Sequence, residues 1–421
     1  MLEPGERGDA PPASTPTWRL LGDRNFGPYF VGNLLSNCGT WFQNIAQALL
    51  VYRLTKSTFL VGVVNFAQFG GVFLLAPWAG RAADRYDRRR LLVVTQFGAF
   101  AVALTMAALT RADVATAPVV ILLALAMGLT LAFAIPALLA LVPLLVEQHD
   151  IAPAIALNTV TFNLARAVGP VLAAVVIKTL GIPWAFALNS VSFMALIVAL
   201  SVIRPRPQHQ VTGAAPRLRE SVALVRRDAR LLAFFIAVTA VSLTVDPITT
   251  LTPGFSTEIF HRSDTLTGYL VGAFGLGAVL AVRFIPRGDL RLRTFSATLA
   301  ILATGMVAFG LSRSVPVALV ALFIAGLGYL MTVAGTTTAI QLEVDDEHRG
   351  RIMALWSIAF LGLRPFGALL DGFVGHEVGL RQAVLLMAAP AIVVAIGLAI
   401  ADRRGLSAAS PAGAPGERST R

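Results

Sequence analysis

Val119–Val146 reads VVILLALAMGLTLAFAIPALLALVPLLV, an unbroken run with no charged residue. A helix crossing the hydrocarbon core needs about 20 mostly apolar residues, whereas a membrane-barrel strand needs only about 9–11. This run is therefore too long for a strand and fits a spanning helix. Working outward from it, further apolar runs alternate with short polar gaps along the chain. Only helices or closed barrels satisfy their backbone in lipid, so the expected fold is all-α and polytopic. The composition agrees: of 421 residues, 56% are hydrophobic and 14% charged, and the mean hydropathy is +0.74. Soluble chains carry about 25% charged residues, which sets aside an ordinary soluble enzyme, a disordered chain and a disulfide scaffold. Cys38 is the single cysteine, so an intrachain disulfide is excluded.

Twelve runs qualify as spans, at 28–52, 58–80, 91–110, 117–146, 152–178, 183–203, 231–256, 265–285, 294–312, 315–342, 351–374 and 380–401. Most gaps are too short for anything but antiparallel hairpins. The long gap divides the chain into six plus six. The expected organisation is an N-terminal segment (1–27), a first six-helix bundle (28–203), a central loop (204–230), a second six-helix bundle (231–402) and a disordered tail (403–421). No signal-peptide pattern precedes span 1, which is expected to be retained.

Orientation follows the placement of Arg and Lys. Of the 34, 25 fall on the side of the chain ends and central loop, 7 fall opposite, and Arg166 and Arg364 lie inside spans. Both termini are expected in the cytoplasm and the chain in the inner (plasma) membrane, with the lipid bilayer rather than nucleic acid as its partner despite the net charge of +11. In the central loop Leu218, Val222 and Val225 share one helical face, which predicts a short interfacial helix before Arg227.

The halves also look like repeats. Arg166 and Gly169 in span 5 match Arg364 and Gly367 in span 11 at an offset of 198, while Gly62 and Gly71 in span 2 match Gly268 and Gly277 in span 8 at an offset of 206. Two pseudo-symmetric bundles with a site between them are expected. Polar stripes at helical spacing suit a cavity or an interhelical seam. Span 1 carries Asn33, Asn37, Thr40, Asn44 and Gln47, span 5 Thr159, Asn163 and Arg166, span 7 Thr239, Ser242, Asp246 and Thr249, and span 10 Tyr329, Thr332 and Thr336. Candidate substrate contacts are Asn33, Asn37, Asn44, Asn163, Arg166, Tyr329, Thr336 and Arg364; interhelical hydrogen bonding explains any single stripe equally well. Ionisable residues inside the membrane are functional candidates. Asp246, beside the helix-breaking Pro247, falls near the midplane and is the candidate for the exchangeable proton. Asp371 is expected further out, near the outer mouth.

Gly80-Arg81-Ala82-Ala83-Asp84-Arg85-Tyr86-Asp87-Arg88-Arg89-Arg90 resembles the loop 2–3 signature of the major facilitator superfamily, Gly-x-x-x-Asp-Arg-x-x-Arg-Arg. Gly39-Thr40-Trp41-Phe42-Gln43, Ala156-Leu157-Asn158 through Gly169-Pro170, and Arg349-Gly350-Arg351-Ile352-Met353 look like the branch of enterobactin-type siderophore exporters and macrolide-efflux proteins. The resemblance implies two bundles rocking around a site lined by spans 1, 4, 7 and 10, without a cofactor. It also implies proton-driven export of an amphipathic small molecule by a monomer. Gly80, Asp84, Arg85, Arg88 and Arg89 would form a cytoplasmic latch. Asp84 would face the N-terminal end of span 11, and the arginines would face Glu147, Asp150 or the acidic run Glu343–Glu347. Two departures from the family pattern stand out: span 4 lacks the arginine common in drug–proton antiporters, and Ala165, Ala173 and Ala174 replace glycines typical of span 5. Rival readings are an importer of an anionic metabolite, motivated by the two interior arginines, and a non-transporting membrane sensor. Five scattered histidines and one cysteine argue against a membrane-embedded enzyme.

Overall fold

The structure is a computed structural model that describes residues 17–207, 218–285 and 290–405. The first half contains α1 (Phe26–Thr55), α2 (Thr58–Arg85), α3 (Arg88–Arg111), α4 (Ala117–Leu145), α5 (Ile151–Thr179) and α6 (Ile182–Val202). After α7 (Leu218–Arg227), the second half contains α8 (Ala229–Val245), α9 (Leu266–Ala281), α10 (Leu292–Leu311), α11 (Val315–Glu343), α12 (Asp346–Ser357), α13 (Arg364–Glu377) and α14 (Leu380–Arg403). Span 7 runs from α8 through Pro247–Thr250 and Thr252–Gly254 into a π-turn at Phe255–Ile259. Span 11 is α12 and α13 joined by a π-turn at Ile358–Gly362. Twelve spans result, as two bundles of six.

Local chemistry accounts for several helix starts. Ser57 caps α2 by accepting the Leu60 N–H at 3.3 Å, and Asp87 caps α3 by accepting the Arg90 N–H at 2.7 Å. Asp228 accepts from Arg230 and Leu231 at the start of α8. These side chains satisfy amides that a first helical turn leaves open.

Ten spans are long and apolar enough to cross a membrane by length and composition. The other two are α1, of 30 residues, and α5, of 29. The polar stripe of α1 packs against α5 and α6 rather than facing lipid. Asn33 Nδ2 donates to Asn158 Oδ1 at 2.9 Å, and Asn189 Nδ2 donates to Gln43 Oε1 at 2.6 Å.

The bundles repeat one packing scheme: span 1 lies on 6, 2 on 4, and 3 on 4 and 6, while 7 lies on 12, 8 on 10, and 9 on 10 and 12. The end of the molecule bearing the loops at 56–57, 112–116, 180–181, 260–265, 312–314 and 378–379 is termed distal, and the other end proximal. The halves meet along two seams, α2 against α13 and α9 against α5. A Cβ on Gly62 would run into the Ala368 carbonyl oxygen. A Cβ on Gly268 would lie 2.6 Å from the Pro170 carbonyl oxygen and meet Ala174. Ala368 and Pro170 are 198 residues apart, so the repeat read from the glycines is also a repeat of contacts. Both crossings lie in the distal half of the spans.

The helix expected in the central loop is α7. Val225 is buried, and Glu220 reaches Arg351 on α12 at 3.9 Å. Residues 208–217 and the tail beyond 405 lie outside the described residues.

Candidate functional site

Spans 7 and 11 both depart from regular α-helix near their middles, and the breaks bring their ionisable residues together. Pro247 lacks an N–H and ends α8 at Asp246, which frees a carbonyl in the preceding turn. In span 11 the π-turn Ile358–Gly362 precedes Arg364, and Pro365 occupies the first turn of α13. Such interruptions leave backbone groups free and recur at functional sites. Arg364 Nε donates to Asp246 Oδ1 at 3.0 Å, and Asp246 is 2% exposed. Gly367 makes room for the carboxylate, since a Cβ there would collide with Asp246 Oδ2. Tyr329 on α11 lies within electrostatic reach of Arg364. Two residues that the sequence separates by 118 positions therefore form one buried ion pair between broken helices.

The hydroxyls around the pair have other duties. Ser242 Oγ donates to the Phe360 carbonyl at 2.6 Å, inside the span 11 π-turn, and Thr249 Oγ1 donates to the Asp246 carbonyl at 3.2 Å. Thr250 accepts from Asn65 Nδ2 of α2 at 3.2 Å, a hydrogen bond that crosses between halves. On the same seam, Thr58 Oγ1 donates to the Gly372 carbonyl at 3.0 Å. Phe66 meets Phe366 edge-on at 5.4 Å, and Phe59 meets Phe373 at 6.2 Å. Near the distal loops Tyr52 hydrogen-bonds Glu258 and Arg53 pairs with Asp264. The contacts joining the halves thus close the distal end of the interface.

Asp371 departs from expectation. It has no exposed surface and does not reach an outer mouth. Helix rise alone placed it near the surface, but α2 crosses directly over it. A Cβ on Gly372 would lie 2.6 Å from the Thr58 carbonyl oxygen.

The family model for transmembrane secretion effectors matches residues 15–411. This chain belongs to that family. The staphyloferrin A transporter of Staphylococcus aureus (strain NCTC 8325 / PS 47) is 22% identical over 390 residues, covering 89% of this chain and 96% of the relative. The enterobactin exporter EntS of Citrobacter koseri is 26% identical over 390 residues, covering 89% of each. Among solved structures, an inward-facing, unoccupied bacterial homolog of the human lysosomal transporter Spinster superposes with TM-score 0.72. It has 13% identity and covers 95% of this chain and 100% of that one. A POT family transporter in complex with 5-aminolevulinic acid gives TM-score 0.72 at 11% identity, covering 91% and 96%. The secretion effector therefore has a major facilitator fold and is a membrane transporter.

Within this secretion effector, most of the expected substrate contacts are engaged by neighbouring helices. Asn33 donates to Asn158 and, at 3.3 Å, to Thr161. Asn37 donates back to the Asn33 carbonyl at 2.7 Å. Asn44 accepts from Gln68 Nε2 at 2.8 Å, and Gln68 in turn accepts from Gln47. Tyr329 is buried against Phe274 at 5.3 Å. Thr336 is buried and donates to the Thr332 carbonyl of its own helix at 2.7 Å. Thr332 reaches Thr298 of α10 at 2.8 Å. Asn37 and Asn44 remain half-buried. The side chains of Asn163 and Arg166 lie outside the described residues, although both positions are on α5.

The latch residues occupy the proximal end. Arg88 Nη1 donates to the Ala140 carbonyl at 3.0 Å. Arg89 donates to the Leu200 carbonyl and, at 2.7 Å, to that of Ser201. Both tie α3 to the ends of α4 and α6 within the first half. Asp84 and Arg85 are exposed, and nothing lies within 4 Å of a Cβ placed on Gly80. Two of the acids expected as arginine partners pair with other arginines: Glu147 with Arg206 at 3.5 Å, and Glu343 with Arg230 at 2.7 Å. A proximal latch has no reason to be engaged in a state whose halves are joined distally.

Proposed function

We propose that the chain exports an amphipathic, siderophore-like small molecule by alternating access, driven by proton antiport. The observation that carries this reading is the buried Asp246–Arg364 pair at the breaks of spans 7 and 11. The relatives supply the cargo class: two of them are named for staphyloferrin A and enterobactin. The distribution of Arg and Lys supports a cytoplasmic proximal side. The state described here is then inward-facing, with its outer side closed.

In this state Asp246 is ionised against Arg364, so a proton it carried has been released toward the cytoplasm. When the outer side opens, water and a proton reach Asp246, the pair breaks, and the neutral acid returns. The exchange couples one side of the membrane to each protonation state. Import of an anionic metabolite is less well supported, because one of the two guanidinium groups that motivate it, that of Arg364, is committed to Asp246. Asp246→Asn tests the reading in proteoliposomes with enterobactin as probe. Uphill, uncoupler-sensitive transport should disappear while downhill exchange and binding persist. Full uncoupler-sensitive efflux in the variant would remove Asp246 from the mechanism.

A further inference from the structure

Asp371 is a buried carboxylate that the Asp246–Arg364 exchange does not use. It has no exposed surface, and neither carboxylate oxygen has a hydrogen-bond partner. The Thr250 hydroxyl and the Gly372 amide lie close by, but among the described residues neither meets the geometry of a hydrogen bond to it. Arg364 lies two turns earlier on the same helix and is bonded to Asp246. Asp246 is close enough to repel a charge on Asp371.

Among the described residues, no cation from the elements packed around it is paired with it: Arg381, on α14, donates to the Gly310 carbonyl at 2.9 Å. From Thr58 to Gly80, α2 carries no ionisable residue, and neither does span 7 from Pro247 to Thr257. Glu258 beyond it is bonded to Tyr52. Tyr269 is the ionisable side chain of α9 and is 38% exposed. His376 and Glu377, at the end of α13, are exposed. Burying an ionised carboxylate with no cation and no well-aligned donor is far more costly than burying the neutral acid. The closed seam and an ionised Asp371 are therefore in conflict.

We propose that Asp371 is a proton-binding site whose occupation licenses closure of the α2–α13 seam. When the seam parts, the carboxylate is hydrated and ionised. A proton taken from water on the distal side converts it to the neutral acid, and α2 can then close over it. The site rests on the proton-coupled reading above and deepens it, because it makes the return to the inward-facing state depend on an outer proton. A closed state that must bind one more proton than the open state loses up to about tenfold in relative population for each pH unit above the closing midpoint.

The test needs no transported substrate. In the full chain with Cys38→Ser, nitroxides placed through Val114→Cys and Arg313→Cys at the distal loops report the separation of the halves in lipid vesicles. With Asp371 present, the short-distance population should fall as pH rises. Asp371→Asn should hold the short distance across the same range, and Asp371→Glu should keep a pH response with a displaced midpoint. A distance distribution independent of pH with Asp371 present overturns both this site and the proton-coupled reading. A pH response that survives unchanged in Asp371→Asn overturns this site alone and leaves the coupling with Asp246. If Asp371→Asn does not fold, the glutamate variant decides, and an unmoved midpoint there is fatal to the site.

Discussion

The two seams between the halves share a geometry and differ in chemistry. Gly62 packs on Ala368, and Gly268 packs on Pro170, at offsets that the repeat assigns to each other. At the position matching Asn65 of α2, however, α9 carries Val271, and at the position matching Asp371 of α13, α5 carries Ala173. Val271 and Ala173 are both buried. One seam is thus an apolar hinge made of small residues, while the other encloses an amide, two carboxylates and a guanidinium. The scaffold kept its symmetry because close helix approach demands small residues at both crossings. On the proposed mechanism the chemistry needs no duplicate, since one titrating seam ties closure to a proton.

The largest effect should come from breaking what the seams share. Gly62→Val and Gly268→Val each put a branched side chain against backbone with no room to yield. Overpacking of this kind costs about 1–3 kcal/mol in a core, here charged entirely to the distally closed state. Both variants should reach the membrane and lose most transport, and distal-loop distances should lengthen in both. Equal losses would establish that the two crossings are mechanically equivalent. A tolerant Gly268→Val would break the comparison.

The next effect on transport separates the seams, and it weighs more on stability than the glycine variants do. Arg364→Gln leaves Asp246 buried without its cation, and removing one partner of a buried pair costs about 3–5 kcal/mol. Asp246→Asn together with Arg364→Gln should recover much of that loss, since no charge then remains unpaired. Thermal melts in detergent for the two single variants and the double variant give the coupling directly. Additive losses would mean that the pair is incidental to the fold.

The spans were legible because length, apolar content and charge placement act locally. The observed helices end within a few residues of the sequence boundaries, and even α1 and α5 emerge despite their polar stripes. Asp246 and Arg364 stood out as individual charges in apolar runs, but their pairing did not, since a sequence gives depth along each helix and not rotation between helices. The same blindness misplaced Asp371. Its distance from the end of its helix was right, yet α2 lies over it. The stripes of α1 and α11 show the complementary ambiguity, between a cavity lining and an interhelical seam. Asn33, Asn44 and Thr336 have cavity-like spacing, but neighbouring amides, hydroxyls and carbonyls take up their hydrogen bonds.

A smaller effect is expected at the proximal end, where the first half is braced internally by Arg88 and Arg89. Asp84→Asn should leave yield and melting temperature unchanged and slow transport severalfold, because it weakens only the proximally closed state. Distal-loop distances should shift toward the short form in parallel. Unchanged transport would remove Asp84 from the latch and leave the arginines as internal braces.

The smallest effect should come from the distal ion pair, even though it is the most conspicuous charge contact between the halves. Arg53 Nη2 donates to Asp264 Oδ1 at 2.9 Å, and the side chains are 46% and 14% exposed. Water and salt reach the arginine, and exposed pairs are typically worth about 0–1 kcal/mol. The neighbouring Tyr52–Glu258 contact and the glycine crossing below it would still hold the seam. Arg53→Gln should therefore change the closed population by less than about fivefold, which is the upper end of that energy range. The wild-type closed population should itself fall slightly as salt is raised and the pair is screened, a dependence that Arg53→Gln abolishes. Spin-label distances at low and high salt, with and without the substitution, measure both quantities. A loss in Arg53→Gln as large as that in Gly62→Val would reverse the ranking and make charge at the rim, rather than packing in the seam, the element that closes the distal side.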